Sequence, residues 1–166
     1  KSPRPSIGLE ASMELGIIEK LHPELLALKD TPQDAKWHPE GSAWTHTYMV
    51  ADAAAEFSAE KNLPREEALL LLLAALCHDL GKPTTTVTQE DGRITSHGHS
   101  EAGLAPARKF LETIDIPEEY IVKVERLIFD HLFPSVNRGA GHPAIKKLAH
   151  RLYPAAIQQL VNLGYA

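Results

Sequence analysis

Cysteine is almost absent from this chain of 166 residues. Cys77 is the only one, so no intramolecular disulfide can form, and a reducing compartment, the cytoplasm, is expected. Cys77 closes an apolar run and reads as plain core. Long hydrophobic stretches are also missing: the nearly unbroken run from Ala68 to Cys77 is far shorter than the roughly 20 apolar residues that cross a bilayer, so no membrane span is expected. No apolar leader of secretory type opens the chain, which starts on Lys1 rather than Met, as a trimmed chain or a piece of a longer protein would. An excess of positive charge is missing too. A formal charge of −5 argues against gripping a nucleic-acid backbone through bulk charge and leaves only local clusters such as Lys146, Lys147 and Arg151. There is no internal repeat. The length suits one compact domain, divided here into an N-terminal helical segment over 1–30 packed on a main unit over 31–166.

What the chain does have is helical periodicity. Ile7, Leu9, Met13, Leu15, Ile17, Ile18 and Leu21, then Leu25, Leu26 and Leu28, predict two short helices broken near His22-Pro23. Residues 30–42 turn polar, with Pro32, Pro39 and Gly41, and read as a loop that wraps rather than packs. Ser42 is placed to cap a helix over Ala43–Glu60. Pro64 suits the first position of a core helix with Glu66 and Glu67 in its opening turn, ending at Gly81. Thr84 to Thr95 around Asp91-Gly92 predicts a small β-hairpin. Ser100–Thr113, Glu118–Phe133 and His142–Leu163 read as further helices, the last broken at Pro154. The expected fold is an all-α helical bundle with one small inserted β-hairpin.

The chemistry concentrates where the core helix ends, at His78-Asp79-Leu80-Gly81-Lys82. Ionisable groups beside a low-dielectric core are costly unless they are paired or coordinated. Imidazole with carboxylate suits Mn, Fe, Co, Ni or Zn better than calcium, which prefers all-oxygen shells. The bland alternative is that the doublet only caps the helix. Nine histidines are present, and His46, His78, His99 and His131 fall on or at the ends of four different predicted helices, with Asp79 and Asp130 beside two of them. Helical bundles build metal sites from side chains on facing helices, so such scatter is expected. Each also has a simpler reading: His46 as a surface group, His99 as a cap, His131 as a complement to the helix dipole. His97 shares a loop with His99 and could meet substrate or water. His22, His38, His142 and His150 are taken as surface groups. Lys82 could answer the helix dipole, or beside a metal could hold phosphate oxygens.

Trp37-His38-Pro39-Glu40-Gly41 leading to Trp44-Thr45-His46, then Ala75 through Pro83 and Ser96-His97-Gly98-His99, resemble the HD domain of bacterial tRNA nucleotidyltransferases, within the HD-domain superfamily of metal-dependent phosphohydrolases. The likeness runs from about Pro5 to about Ser135, taking in Leu21-His22-Pro23-Glu24-Leu25. It implies an HD-domain bundle in which His46, His78 and Asp79 are metal ligands. His99, followed four residues later by Gly103, matches the third histidine of larger sites, and His131 resembles the fourth. Many relatives add an aspartate on a later helix, but Ala140 to Ala166 contains no Asp. Asp130 could substitute, a ligand could lie beyond Ala166, or the site could be mononuclear and open. No Gly-Ser turn with paired catalytic aspartates is present, so CCA addition by this chain alone is not supported.

The resemblance implies one or two divalent ions (Mn, Ni, Co, Fe, Mg or Zn) and hydrolysis of nucleotide phosphomonoesters or phosphodiesters: 2',3'-cyclic nucleotides, 2'-nucleotides or RNA ends. Asp79 would bind metal and orient or deprotonate water, and Lys82 with Arg138 would hold the phosphate. The alternative is a non-catalytic or vestigial module that supports tRNA or RNA binding. A purely structural zinc, usually enclosed by cysteines, fits poorly with one buried cysteine.

Overall fold

The computed structural model describes residues 3–166. Its centre is α5, Arg65–Cys77, whose Leu70, Leu71, Leu73 and Ala74 through Cys77 are all buried. A helix apolar on every side must be surrounded, and α5 packs against α4 (Ala43–Glu60), α9 (Glu118–Phe129) and α12 (Ile157–Leu163). Ala43, Ala51 and Ala54 of α4 and Ala74 and Ala75 of α5 are fully buried. The Ser42 hydroxyl caps α4 by accepting from the Thr45 amide, as its sequence position predicts. α9 is amphipathic and turns Ile121, Val124, Leu127 and Ile128 inward.

The other elements hold this core and set the loops around it. α1 (Pro5–Glu14) lies on α4, where the Ser6 amide and hydroxyl both donate to Asp52, at 2.8 and 2.6 Å. α2 (Ile17–Leu21), α3 (Pro23–Leu26) and the turn after it bring Ile18, Leu25 and Leu28 into the same hydrophobic cluster as the later helices. α6 (Lys82–Thr85) leads into an antiparallel pair, β1 (Val87–Thr88) and β2 (Ile94–Thr95), in which Val87 faces Thr95. α7 (His99–Ala102), α8 (Leu104–Thr113), α10 (Phe133–Val136) and α11 (His142–Leu152) complete the bundle. No helix among the described residues is long and apolar enough to cross a membrane.

The all-α bundle with one small hairpin is what the periodicity predicts, and α4 has the predicted bounds. The departures are breaks where the chain must turn. The first segment breaks at Gly16 (φ +71°) as well as at His22. The hairpin is shorter than its Thr-rich sequence suggests, because Lys82–Thr85 winds into a helical turn. Regular α5 ends at Cys77, the Ser100–Thr113 helix divides at Gly103, and Glu118–Phe133 divides after Phe129. The 30–42 loop packs rather than wraps: Thr31 and Gln33 are buried, and the Asp34 carboxylate accepts from the Ile94 amide at 3.4 Å. His22 is not a surface group. Its ring lies edge-on to Phe110, and its Nδ1 is 3.7 Å from the buried Glu24.

Candidate metal centre

Asp79 is the hub. It sits in the turn just past the end of α5, is 1% exposed, and has three imidazoles around its carboxylate. Nε2 of His78 lies 3.2 Å and Nε2 of His46 3.8 Å from Oδ2, while Nε2 of His99 lies 3.5 Å from Oδ1. His131 closes the ring, with its Nε2 3.1 Å from that of His99. These side chains come from α4, the end of α5, α7 and the turn after α9.

In each of the four imidazoles the other nitrogen is occupied. Nδ1–H of His78 donates to the Ala75 carbonyl at 2.8 Å, that of His99 to Ser96 at 2.7 Å and that of His131 to Ile128 at 2.6 Å. His46 donates to the Glu40 carboxylate at 2.7 Å. A carbonyl or carboxylate can only accept, so these bonds fix the proton on Nδ1 and leave Nε2 as a lone pair when the ring is neutral. Two such lone pairs facing each other at 3.1 Å, between His99 and His131, repel unless something positive lies between them. Asp79 Oδ2 is likewise a buried oxygen that accepts no well-formed hydrogen bond among the described residues, although the Lys82 ammonium stands 2.7 Å away. Inward nitrogen lone pairs around a buried carboxylate are what a divalent cation of intermediate softness requires, and the donor set fits one.

For three of the four imidazoles the electrostatics agree. Burial pushes His46 down to about 4 and His131 to about 3, with the neighbouring His78 charge adding to it, and burial also lowers His99. All three are neutral, as ligands must be. His78 moves the other way, because Asp79 and the Ala75 carbonyl outweigh the effect of burial. Burial alone would raise Asp79, but His78 and Lys82 hold it well below the ordinary carboxylate range.

Two sets of three donors therefore stand close enough to share an ion: His46, His78 and Asp79, and Asp79, His99 and His131. A third, His38 with Glu40 and His46, extends outward along α4's N-terminal side. Sequence reasoning missed it. His38 was expected at the surface, yet its Nδ1 shares Glu40 Oε1 with His46. The tight turn that joins Glu40 to α4 through Gly41 (φ +106°) brings the carboxylate back over the first helical turn. Gln33 was missed too. Its Oε1 accepts from Lys82 at 2.5 Å from within the loop expected only to wrap.

Asp130 needs correction as a metal ligand. Its buried carboxylate is turned to α11, where Arg151 donates to it from Nε and Nη2, and it belongs to none of the three donor sets. Lys82 and Arg138 do not converge on one spot. Lys82 lines a cavity of about 420 Å³ with Asp34, Trp37, His38 and the exposed His97. Arg138 lines another of about 660 Å³. Gly81 permits the approach of the two walls: a Cβ there would meet the His99 carbonyl oxygen at 2.0 Å and the Gly103 nitrogen at 2.5 Å.

Among protein families, the one described as HD domain matches residues 43–161, the span that carries His46 through His131. Proteins named Multifunctional CCA protein are similar. That of Vibrio parahaemolyticus is 35% identical over 119 residues, covering 72% of this chain and 27% of the relative. That of Pasteurella multocida is 32% identical over 115 residues, or 69% and 26%. That of Mannheimia succiniciproducens is 31% identical over 120 residues, or 72% and 27%. The chain thus spans about a quarter of the length of the curated relatives it matches. No solved structure matches it.

Proposed function

Because this chain belongs to the HD domain family, we propose that it is a metal-dependent phosphohydrolase acting on nucleotide phosphomonoesters or phosphodiesters, with 2',3'-cyclic nucleotides, 2'-nucleotides or RNA ends as substrates. The observation that carries this reading is the ring of four imidazoles whose Nδ1 atoms are tied off and whose Nε2 atoms surround the buried Asp79.

His46, His78 and Asp79 would hold one ion, and Asp79, His99 and His131 a second where two are bound. When bound, a divalent ion supplies Lewis acidity, lowering the pKa of water and stabilising charge on phosphoryl oxygens. The protein's own residues do the rest. Lys82, neutralised by Asp79 but open to the smaller cavity, offers its ammonium to a non-bridging phosphate oxygen. Asp79 remains a carboxylate and orients water by accepting from it. Glu40 keeps the His46 ring turned inward, and His97 stands at the cavity's edge to meet substrate. In the net reaction one P–O bond forms from water, one ester P–O bond breaks, and the departing oxygen takes up a proton. A reducing cytoplasm, expected from the single buried Cys77, is the setting proposed.

The test is release of phosphate or ring-opened nucleotide from a panel of 2',3'-cyclic nucleotides, 2'- and 3'-nucleotides and a generic phosphodiester, with Mn, Ni, Co or Mg added. Wild type should turn over at least one class in a metal-dependent way, and Asp79→Ala should lose at least about 100-fold, the range for removal of a group central to charge stabilisation. Silence from folded protein with every metal would leave the second reading, an RNA-binding module, tRNA included. That reading draws on the names of the relatives and on the exposed Lys146 and Lys147 of α11.

A further inference from the structure

Two cavities meet at the metal centre from different sides. His46, His78 and His131 line both. The smaller contains the acids Asp34 and Asp79 beside Lys82. The larger is lined by no Asp or Glu side chain; Val50, Pro134, Val161 and Tyr165 face it with Arg138 as its cation, and Ala166, the last residue of the sequence, also lines it. This imbalance extends beyond the cavity wall. From His131 to Ala166 the sequence has no Asp or Glu, but it has Arg138, Lys146, Lys147 and Arg151, in a chain whose net charge is −5. Of these four cations, Arg151 is engaged by Asp130, whereas Arg138 is exposed.

A volume of about 660 Å³ lies within the roughly 300–1,000 Å³ of small-molecule sites. Apolar walls with an exposed aromatic ring suit a nucleobase, which stacks regardless of sequence. Tyr165 is 73% exposed, and its ring is already braced by stacking on Phe57 at 6.0 Å. A guanidinium at the same cavity suits a phosphate, which it can grip through two parallel N–H bonds.

Resting on the phosphohydrolase reading, we infer that the larger cavity seats the terminal nucleoside of the substrate while Arg138 holds the phosphate on that nucleoside's 5' oxygen, so that the end of an oligonucleotide is preferred to a lone nucleotide. The reacting phosphate then lies at the histidines, where the two cavities join, and the next linkage of the strand reaches the face that has Arg138 and no Asp or Glu side chain. Polyanion is favoured on that side, and the carboxylates of the smaller cavity disfavour it on the other.

The experiment compares a 2',3'-cyclic mononucleotide lacking a 5'-phosphate with a dinucleotide ending in the same cyclic phosphate, for wild type, Arg138→Ala and Arg138→Lys. For wild type, kcat/KM should favour the dinucleotide by about 10- to 100-fold. Arg138→Ala should bring the ratio near one, and Arg138→Lys should restore part of it. A wild-type ratio near one, or a ratio that Arg138→Ala leaves unchanged, overturns the inference. If neither substrate is hydrolysed with any metal, the phosphohydrolase reading has failed on its own, and binding decides the subsite. Fluorescence anisotropy of a labelled oligonucleotide with a 3'-phosphate, in EDTA, should then show weaker binding by Arg138→Ala and a log–log salt slope shallower by about 0.7, one single-strand phosphate contact. Equal affinity and slope would overturn it. Arg138 is exposed, so its replacement leaves the core intact.

Discussion

Glu40 shows how much one carboxylate outside the ligand ring can govern. Burial would raise its pKa, but hydrogen bonds from its own backbone and from His38 and His46 hold it below the usual range, so it is an anion that fixes the His46 tautomer. Partners of this kind typically change metal affinity by about 10–100-fold when removed. Glu40→Gln should therefore weaken Mn or Ni binding by that factor in a calorimetric titration, with the far-ultraviolet circular dichroism unchanged. Unaltered affinity would mean that His46 needs no such anchor. Glu40 stood in a motif legible in the sequence, yet nothing there gave it a role: a Glu six residues before a His is not on the same helical face, and only the turn at Gly41 brings them together. Asp130 erred in the opposite direction. Adjacency to His131 suggested a ligand, but the Asp130 carboxylate turns toward α11, where Arg151 holds it.

At the scale of elements, the metal centre depends on how closely the turn between α5 and α6 meets α7. Gly81 and Gly103 meet backbone to backbone, with no space for a methyl group at Gly81. Gly81→Ala should displace α7 and with it His99, destabilising the protein by about 1–3 kcal/mol as overpacking does. Activity should fall by more than this loss of stability explains, as thermal melts and assays on the same preparation would reveal; a fully active variant would mean that His99 is dispensable. A different junction joins α1 to α4. Burial alone would raise the Asp52 pKa, but the two hydrogen bonds from Ser6, helped by Arg4, lower it. Asp52→Ala should cost about 1–3 kcal/mol in denaturant midpoint, with early proteolytic cleavage in α1.

For the molecule as a whole, the candidate ligands come from widely separated parts of the chain, so a bound ion ties the bundle together. At a free metal concentration of 100 times Kd the linkage is about 2.7 kcal/mol, or roughly 5–10 °C in Tm for a domain of this size. Scanning calorimetry with Mn or Ni against EDTA should show that rise in wild type and lose it in Asp79→Ala. The metal-free protein should also lose stability in mild acid. His46 titrates at about 4 when folded against an ordinary 6.5, so between these values the unfolded chain binds a proton that the folded one refuses, and stability falls as pH drops through that window. His78, shifted upward, acts only above 6.5 with the opposite sign. Urea midpoints at pH 7.5, 5.5 and 4.5 would trace the loss, and a flat profile down to pH 4.5 would contradict the depressed His46 value.

The sequence by itself determined the bundle, because the spacing of apolar residues at helical period, the cap at Ser42, the helix start at Pro64 and the break at Pro23 are local properties that the chain carries wherever it folds. It also determined the doublet and the three distant histidines, since ionisable side chains at the ends of core helices are conspicuous in a string of letters. What only the tertiary structure decided is which of them face one another. The Nε2 lone pairs converge on Asp79 because backbone carbonyls and Glu40 turn each ring. Lys82 is held by Gln33 from across the fold, and Asp130 is claimed by a helix 21 residues away. Such pairings depend on the orientation of elements distant in sequence, which no local pattern encodes.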